Sequence, residues 1–220
     1  MIPRVLEPEV MDTPDDANDY DRMDHSEVNR RFASDFFSAC PNPGGWVLDV
    51  GTGTAQIPIE MCRQHPSVSI HAIDLADEML KLAAANVTAA GFAHRIRIER
   101  ANGRHLPHTD GGFAAVVSNS IIHHIPHPFD CFSEMVRVCT PGGTLFVRDL
   151  LRPNTNEQLE HLVATYAADC NPHQRQLFAD SLRAALTLAE VQTLLVELGF
   201  DPSTVTQTSD RHWTLSAVVT

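Results

Sequence analysis

The stretch WVLDVGTGTA, Trp46 to Ala55, constrains the fold more than any other part of the chain. Trp46 to Val50 is apolar except for Asp49, with Pro43, Gly44 and Gly45 before it and glycines after it, as in a strand buried on both faces. Gly51 and Gly53 permit a sharp turn and a close approach of backbone to ligand, because neither carries a side chain. From Ala55 to about Gln64 the apolar positions Ile57, Ile59, Met61 and Cys62 fit a helix. A strand, a glycine turn and a helix N-terminus therefore follow one another.

VSIHAID, Val68 to Asp74, reads as a second strand ending in a carboxylate about twenty residues beyond the glycines, where nucleoside sites place the acceptor for ribose hydroxyls. A pyrophosphate-binding turn normally carries a third glycine, but here Gln56 takes its place. Asp49, just before the first glycine, would repel a pyrophosphate and suits a cationic ligand.

Together with DLADEML, Asp74 to Leu80, this stretch resembles the class I S-adenosylmethionine-dependent methyltransferases. Their pattern is a hydrophobic strand, D-x-G-x-G-x-A or G, and a later D-x-S-x-x-M-L. The likeness is to the small-molecule branch that includes the ubiquinone and menaquinone methyltransferases, and it covers roughly Gly45 to Leu150. It implies an α/β, Rossmann-like fold whose seven-stranded, mostly parallel sheet has the order 3-2-1-4-5-7-6, with helices on both faces. It also implies S-adenosyl-L-methionine as cofactor and in-line transfer of its sulfonium methyl to a small-molecule acceptor.

The implied cofactor contacts are Asp49 at the methionine end, Gly51, Thr52 and Gly53 in the turn, Asp74 on the ribose, and Leu75 with Met79 flanking adenine. Asn102 and Gly103 would read the adenine edge; the family usually has aspartate at 102, and the amide oxygen of Asn102 keeps the acceptor. The carbonyl of Ser118 or the side chain of Asn119 would meet the methionine ammonium.

Residues 1–22 contain Pro3, Pro8 and Pro14 and are rich in acid, so an extended arm is expected, with a short turn around Asp15 to Tyr20. Members of the resembled branch use such an arm as a lid, which leaves 23–220 as the methyltransferase domain. Val28, Phe32, Phe36 and Cys40 predict a helix from near Ser26, with Asp24 and Glu27 as its capping box. Met79, Leu80, Ala83 and Val87 predict another, stopped by Gly91. Strands are expected at Ile96 to Ala101, at Ala114 to Ser118 and, after the turn Pro141-Gly142-Gly143, at Thr144 to Leu150. A helix leads from Pro128 to Cys139. Leu159 to Ala167 form a helical stripe, Cys170 to Gln174 interrupt it, and Gln176 to Ala185 resume. Thr187 and Glu190 cap the last helix, and Thr204–Thr208 with Trp213–Val219 read as a hairpin.

Ligands of open parallel sheets bind beyond the carboxyl ends of the strands, so SNSIIHHIPHP, Ser118 to Pro128, is the expected seat of acceptor chemistry. His124, then His123, are the candidate proton acceptors; Tyr20, Asp149 and Arg152 are the candidate acceptor contacts. An ion pair from Arg148 or Arg152 to Asp149 is an equally good reading. No metal site is expected from His123, His124 and His127, since adjacent histidines converge poorly and no thiolate or carboxylate accompanies them at ligand spacing.

The net charge of −12 argues against nucleic acid or an anionic membrane surface as partner. No apolar run is long enough to cross a bilayer and the start lacks a secretion signal, so a cytoplasmic location is expected. Five scattered cysteines make neither a disulfide framework nor a zinc motif. Oligomeric state is open. Three rivals stand beside methyl transfer: a nicotinamide-dependent oxidoreductase, disfavoured by Asp49 and Gln56; a non-catalytic cofactor-binding regulatory subunit; and other chemistry on the same cofactor, such as aminopropyl transfer or a lyase reaction.

Overall fold

The computed structural model describes residues 2–7 and 13–220, so Pro8 and its neighbours in the expected arm lie outside the described residues. In chain order the elements are α1 (Pro14–Asp21), α2 (Ser26–Ala39), β1 (Trp46–Val50), α3 (Gln56–Gln64), β2 (Ser69–Asp74), α4 (Asp77–Ala89), β3 (Ile96–Arg100), β4 (Phe113–Asn119), α5 (Pro128–Val138), β5 (Cys139–Leu150), α6 (Asn156–Tyr166), α7 (Pro172–Ala184), α8 (Leu188–Glu197), β6 (Val205–Gln207) and β7 (His212–Val218). A short 3₁₀ turn, Ile122–His124, follows β4. The seven strands form one sheet in the order β3-β2-β1-β4-β5-β7-β6, as the resemblance implied. β1 pairs in parallel with β2 and β4, and β2 with β3, while β6 and β7 are antiparallel.

The chain forms two compact units, with β5 and β7 contributing to both. The first contains residues 13–119, 129–147 and 216–220. On one face of its strands Val47, Ile70, Ala72, Ile96, Ala115 and Val117 share a core with Phe32 and Phe36 of α2, Ile59 and Met61 of α3, and Ala83 and Val87 of α4. Each large side chain buried there contributes about 1.5–3 kcal/mol, so the apolar spacing of those helices is what holds them to the sheet. Residues of opposite parity face α5: a Cβ on Gly103 would sit 3.0 Å from Val50 Cγ1 and 3.3 Å from Cys131 Sγ. Helices thus cover both faces.

The second unit contains residues 2–7, 120–128 and 148–215. Leu159 and Leu162 of α6 pack on Ala179 and Leu182 of α7 and on Leu150, with Ile2 and Phe178 at the edge. Residues 2–7 lie along this unit as a strap. Ile2 N–H donates to Asn154 O at 3.1 Å and Val5 N–H to Arg183 O at 3.2 Å.

Four local expectations are corrected. Pro14–Asp21 is a helix, because Ala17 and Tyr20 bury against Ala76, Met79 and Leu82. α2 has His25 at its N-cap and no capping box; Asp24 accepts from Ser26 N–H instead. Pro172 starts α7 at the position where its missing N–H costs nothing, with Asn171 and Gln174 forming the capping box. β5 begins at Cys139, since the Pro-Gly-Gly segment is paired: Gly142 N–H donates to Val219 O at 2.7 Å, and Val219 N–H to Gly143 O at 2.9 Å.

There is no room at Gly143 for a side chain, since a Cβ would stand 2.7 Å from Ala114 O and 2.8 Å from Thr140 O, both main-chain atoms. Gly143→Ala is expected to lower stability by about 1–3 kcal/mol in chemical denaturation. An unchanged midpoint would show that the start of β5 does not lie this close to Ala114 of β4.

Candidate functional site

In the first unit β1 and β2 end side by side, Val50 opposite Ile73, so the turn after one strand meets the carboxylate that closes the other. Gly51 and Thr52 N–H groups both donate to Ile73 O, at 2.9 and 2.8 Å. Gly53 N–H donates to Asp74 Oδ2 at 2.8 Å, and Ala76 N–H to Asp74 Oδ1 at 2.9 Å. A carboxylate offers about four lone-pair positions and accepts hydroxyl donors readily, which makes Asp74 a suitable acceptor for a ligand hydroxyl. Gly51 and Gly53 have φ of +76° and +54°, the left-handed region that the turn requires.

Asp49 is only 2% exposed, and its Oδ2 has no hydrogen-bond partner. Burial pushes its carboxyl up to about 7, the Thr52 side chain opposing that rise and the Asp74 charge adding to it. A buried acid held this way is poised to take up a cation, whose charge would offset the cost of ionising it. The donor set therefore fits a positively charged nucleoside: hydroxyl acceptors at Asp74, bare backbone between, and an unsatisfied acid at Asp49.

Tyr20 lies over the same turn, its Cε1 3.7 Å from where a Cβ on Gly53 would be. Burial, then the charges of Asp74, Asp49 and Asp21, push its phenol up to about 12, so it stays a neutral donor. Its neighbour Asp21 accepts from Gln56 Nε2 at 3.2 Å and from Asn86 Nδ2 at 2.9 Å. The absence of a third glycine thus has a structural sense: Gln56 ties α1 to the turn. Tyr20, expected as an acceptor contact, lies against the glycine turn.

Met79 is buried in the α1 cluster and Leu75 is half-buried. Asn102 Oδ1 accepts from Arg104 N–H at 3.0 Å, which leaves one lone pair. Ser118 donates its hydroxyl to Val50 O at 2.8 Å, so its side chain ties β4 to β1. Asn119 closes β4, half-buried.

The second unit holds the expected acceptor-side residues. Asp149, 1% exposed, accepts from Ile122 N–H at 2.5 Å and Leu150 N–H at 2.6 Å, and meets His123 Nδ1 at 2.5 Å. Arg148 Nε donates to Thr214 Oγ1 at 2.9 Å, and Arg152, 5% exposed, is held by Glu190 at 2.6 Å and by Ala185 O at 3.3 Å. Arg152 is thereby engaged in packing α8 and the residues before it.

A carboxylate that the spacing of histidines did not reveal joins this cluster. Glu7 Oε1 lies 3.4 Å from His123 Nε2 and 3.2 Å from His124 Nδ1, correcting the view that no acid accompanies the pair. Arg4 holds the strap in place, its guanidinium donating to the carbonyls of Ala184, Pro126, Ile125 and His123. His127 is exposed and outside the cluster. Burial alone would lower the His123 pKa, but Asp149 and then Glu7 outweigh it and the net shift is upward. Asp149 moves down, since His123 and the main-chain N–H groups overcome its own burial. Glu7 moves up, its burial exceeding the pull of His123.

Residues 47–143 match the family model described as a methyltransferase domain. The chain is similar to the ubiquinone/menaquinone biosynthesis C-methyltransferase UbiE of Geotalea daltonii, 34% identical over 125 residues, which are 56% of this chain and 52% of that protein. It is 27% identical to UbiE of Pseudomonas fluorescens over 169 residues, 72% of this chain and 66% of the relative. The chain thus spans about half the length of the first of these curated relatives. Among solved structures, a methyltransferase from Aquifex aeolicus, described as dependent on S-adenosylmethionine, superposes with a TM-score of 0.71 at 18% identity, covering 94% of this chain and 99% of that one. The [4+2]-cyclase SpnF superposes at 0.62 and 16% identity, covering 98% and 88%. At such identities the likeness is one of fold, and a cyclase on the same fold means that the site must decide the chemistry. Among the described residues no helix is long and apolar enough to cross a membrane.

The His123–Asp149 pair sets a pH dependence. A raised histidine contributes stability below its ordinary value of ~6.5, lost as pH climbs through the folded value. A lowered aspartate contributes above ~3.9, lost as pH falls through its folded value. Between those limits the pair contributes most. In an NMR titration His123 is expected to titrate above an ordinary histidine, and in Asp149→Asn to fall below it, since burial is then less opposed. A His123 that titrates alike in both proteins would contradict the pairing.

Proposed function

We propose that the chain is a class I S-adenosylmethionine-dependent methyltransferase and transfers a methyl group from S-adenosyl-L-methionine to a small-molecule acceptor, a reading supported by the methyltransferase-domain match and by the relatives and fold neighbours described above. The observation that carries this reading is the paired acids at the ends of β1 and β2, Asp74 anchoring Gly53 N–H at 2.8 Å and Asp49 buried with an unpartnered oxygen. A pyrophosphate would meet repulsion at Asp49, which disfavours a nicotinamide dinucleotide. When bound, the cofactor supplies an activated methyl on a sulfonium, so the protein's task is largely to hold and align.

Asp74 accepts the ribose hydroxyls at the end of β2, where Gly53 and Ala76 N–H groups hold its carboxylate in place. Gly51, Thr52 and Gly53 form the floor, and Asp49 offsets positive charge at the methionine end. Leu75 and Met79 take the adenine faces and Asn102 with Gly103 its edge; the Ser118 carbonyl and Asn119 receive the ammonium. α1 acts as the lid, with Tyr20 closing over the glycine turn and Gln56 and Asn86 fixing it through Asp21.

On the acceptor side, His124 is the proton acceptor, the less buried of the two imidazoles, with Glu7 Oε1 3.2 Å from its Nδ1. His123 is a positioning residue, oriented by Asp149 and set by Arg4 through the main chain. Two relatives named as C-methyltransferases of quinone biosynthesis support a small organic acceptor, and the net charge of −12 is unsuited to a polyanion.

In calorimetric titration with S-adenosyl-L-methionine, Asp74→Ala is expected to weaken binding by about 1–3 kcal/mol through loss of hydrogen bonds to a charged group. An unchanged dissociation constant would remove the ribose assignment. Turnover of methyl-labelled cofactor against quinone precursors tests the acceptor class in the same preparation.

A further inference from the structure

In the first unit, away from the glycine turn, two imidazoles and a carboxylate converge on the α5-facing side of the sheet. His71 lies mid-way along β2, and Glu99 lies on β3, where it pairs with Ile73; His71 and Glu99 are diagonal neighbours on one face. His71 Nε2 is 2.7 Å from Glu99 Oε2, and His108 Nε2 is 3.4 Å from the same oxygen. One ligand atom from each of the three residues lies within 4.8 Å of the others. His108 has both ring nitrogens buried and neither in a hydrogen bond.

The loop that delivers His108 is clamped from behind. Arg137 of α5 donates to His108 O at 2.8 Å and to Leu106 O at 3.0 Å, and reaches Asp110 at 2.7 Å. Glu134 accepts from Leu106 N–H at 2.6 Å. The imidazoles meet edge to face at 4.9 Å, and Phe113 packs 5.1 Å from His108 and 5.8 Å from His71. Arg97, the cation paired with His71 in register, has its guanidinium 4.4 Å over the Trp46 ring.

We propose that His71, Glu99 and His108 form a binding site for a single Zn²⁺ ion that staples β2 and β3 to the loop following β3. Two imidazole nitrogens and one carboxylate oxygen are a donor set that zinc accepts in tetrahedral geometry with water as the fourth ligand. The side chain of Glu99 is 37% exposed, so that fourth position opens to solvent. On ligation His71 carries its ring proton on Nδ1, and Glu99 exchanges its contact with the imidazole for the ion. His108 gains the partner that its buried nitrogens lack. The site is separate from the proposed methyl-transfer chemistry and does not depend on it.

The test is a titration of the metal-free full chain with Zn²⁺ in competition with a chromophoric chelator. One equivalent is expected to bind, and affinity to fall by roughly 100-fold or more in His71→Ala and in His108→Ala, a loss beyond that of removing an outer-shell partner. Glu99→Gln, which keeps the shape of a partly exposed side chain, is expected to weaken the site by roughly tenfold, and decides the matter should the histidine variants fail to fold. His123→Ala/His124→Ala is expected to bind Zn²⁺ as the wild type does. No binding by the wild type, wild-type affinity in folded His71→Ala, His108→Ala or Glu99→Gln, or a loss confined to His123→Ala/His124→Ala would each overturn the proposal.

Discussion

The first unit is organised around a hydrogen bond between a turn and a strand end, Gly53 N–H to Asp74 at 2.8 Å. It forms only because β1 and β2 run parallel and in register, which brings both carboxyl ends to the same edge. The same register brings Gly51 and Thr52 N–H groups onto Ile73 O, so the glycine turn is fixed by main-chain bonds before any ligand arrives. Preorganised donors and acceptors cost nothing to arrange at the moment of binding, which is why rigid strand ends are effective places to hold a nucleoside. Asp49 is the strained partner in this arrangement, a buried acid retained where an apolar residue would pack more cheaply.

Much of this was legible from residue order. β1 announces itself as a short apolar run between turn residues and β3 as a strand with one apolar face, and the helix faces of Phe32, Phe36, Met61 and Val87 follow from spacing alone. The capping box of Thr187 and Glu190 forms as read. Local signals failed where a distant contact overrode them. α1 looks like a polar arm until Ala17 and Tyr20 find α4, and the Pro-Gly-Gly segment looks like a turn until the chain end pairs with it. Pro172 reads as an interruption in the sequence, because a proline breaks a helix interior and starts a helix equally well.

The side-chain clusters that escaped the sequence share one cause. Glu7 meets His123 and His124 across more than a hundred residues, and His108 meets His71 and Glu99 through a loop whose path is set by Arg137. Linear spacing carries no trace of such encounters. Gln56 is the instructive intermediate case, since its departure from glycine was visible, but its bond to Asp21 needed the position of α1. In the second unit the same economy recurs: Asp149, His123 and Arg152 are buried and Arg4 is half-buried, and each is matched by a partner of opposite charge or by main-chain oxygens and N–H groups.

A crystal structure of the complex with S-adenosylhomocysteine would test the central claim most directly. The ribose hydroxyls are expected within hydrogen-bond distance of both Asp74 oxygens, with Gly51 to Gly53 beneath the nucleoside and its amino-acid end toward Asp49. A nucleoside bound elsewhere, or one whose ribose makes no contact with Asp74, would contradict it.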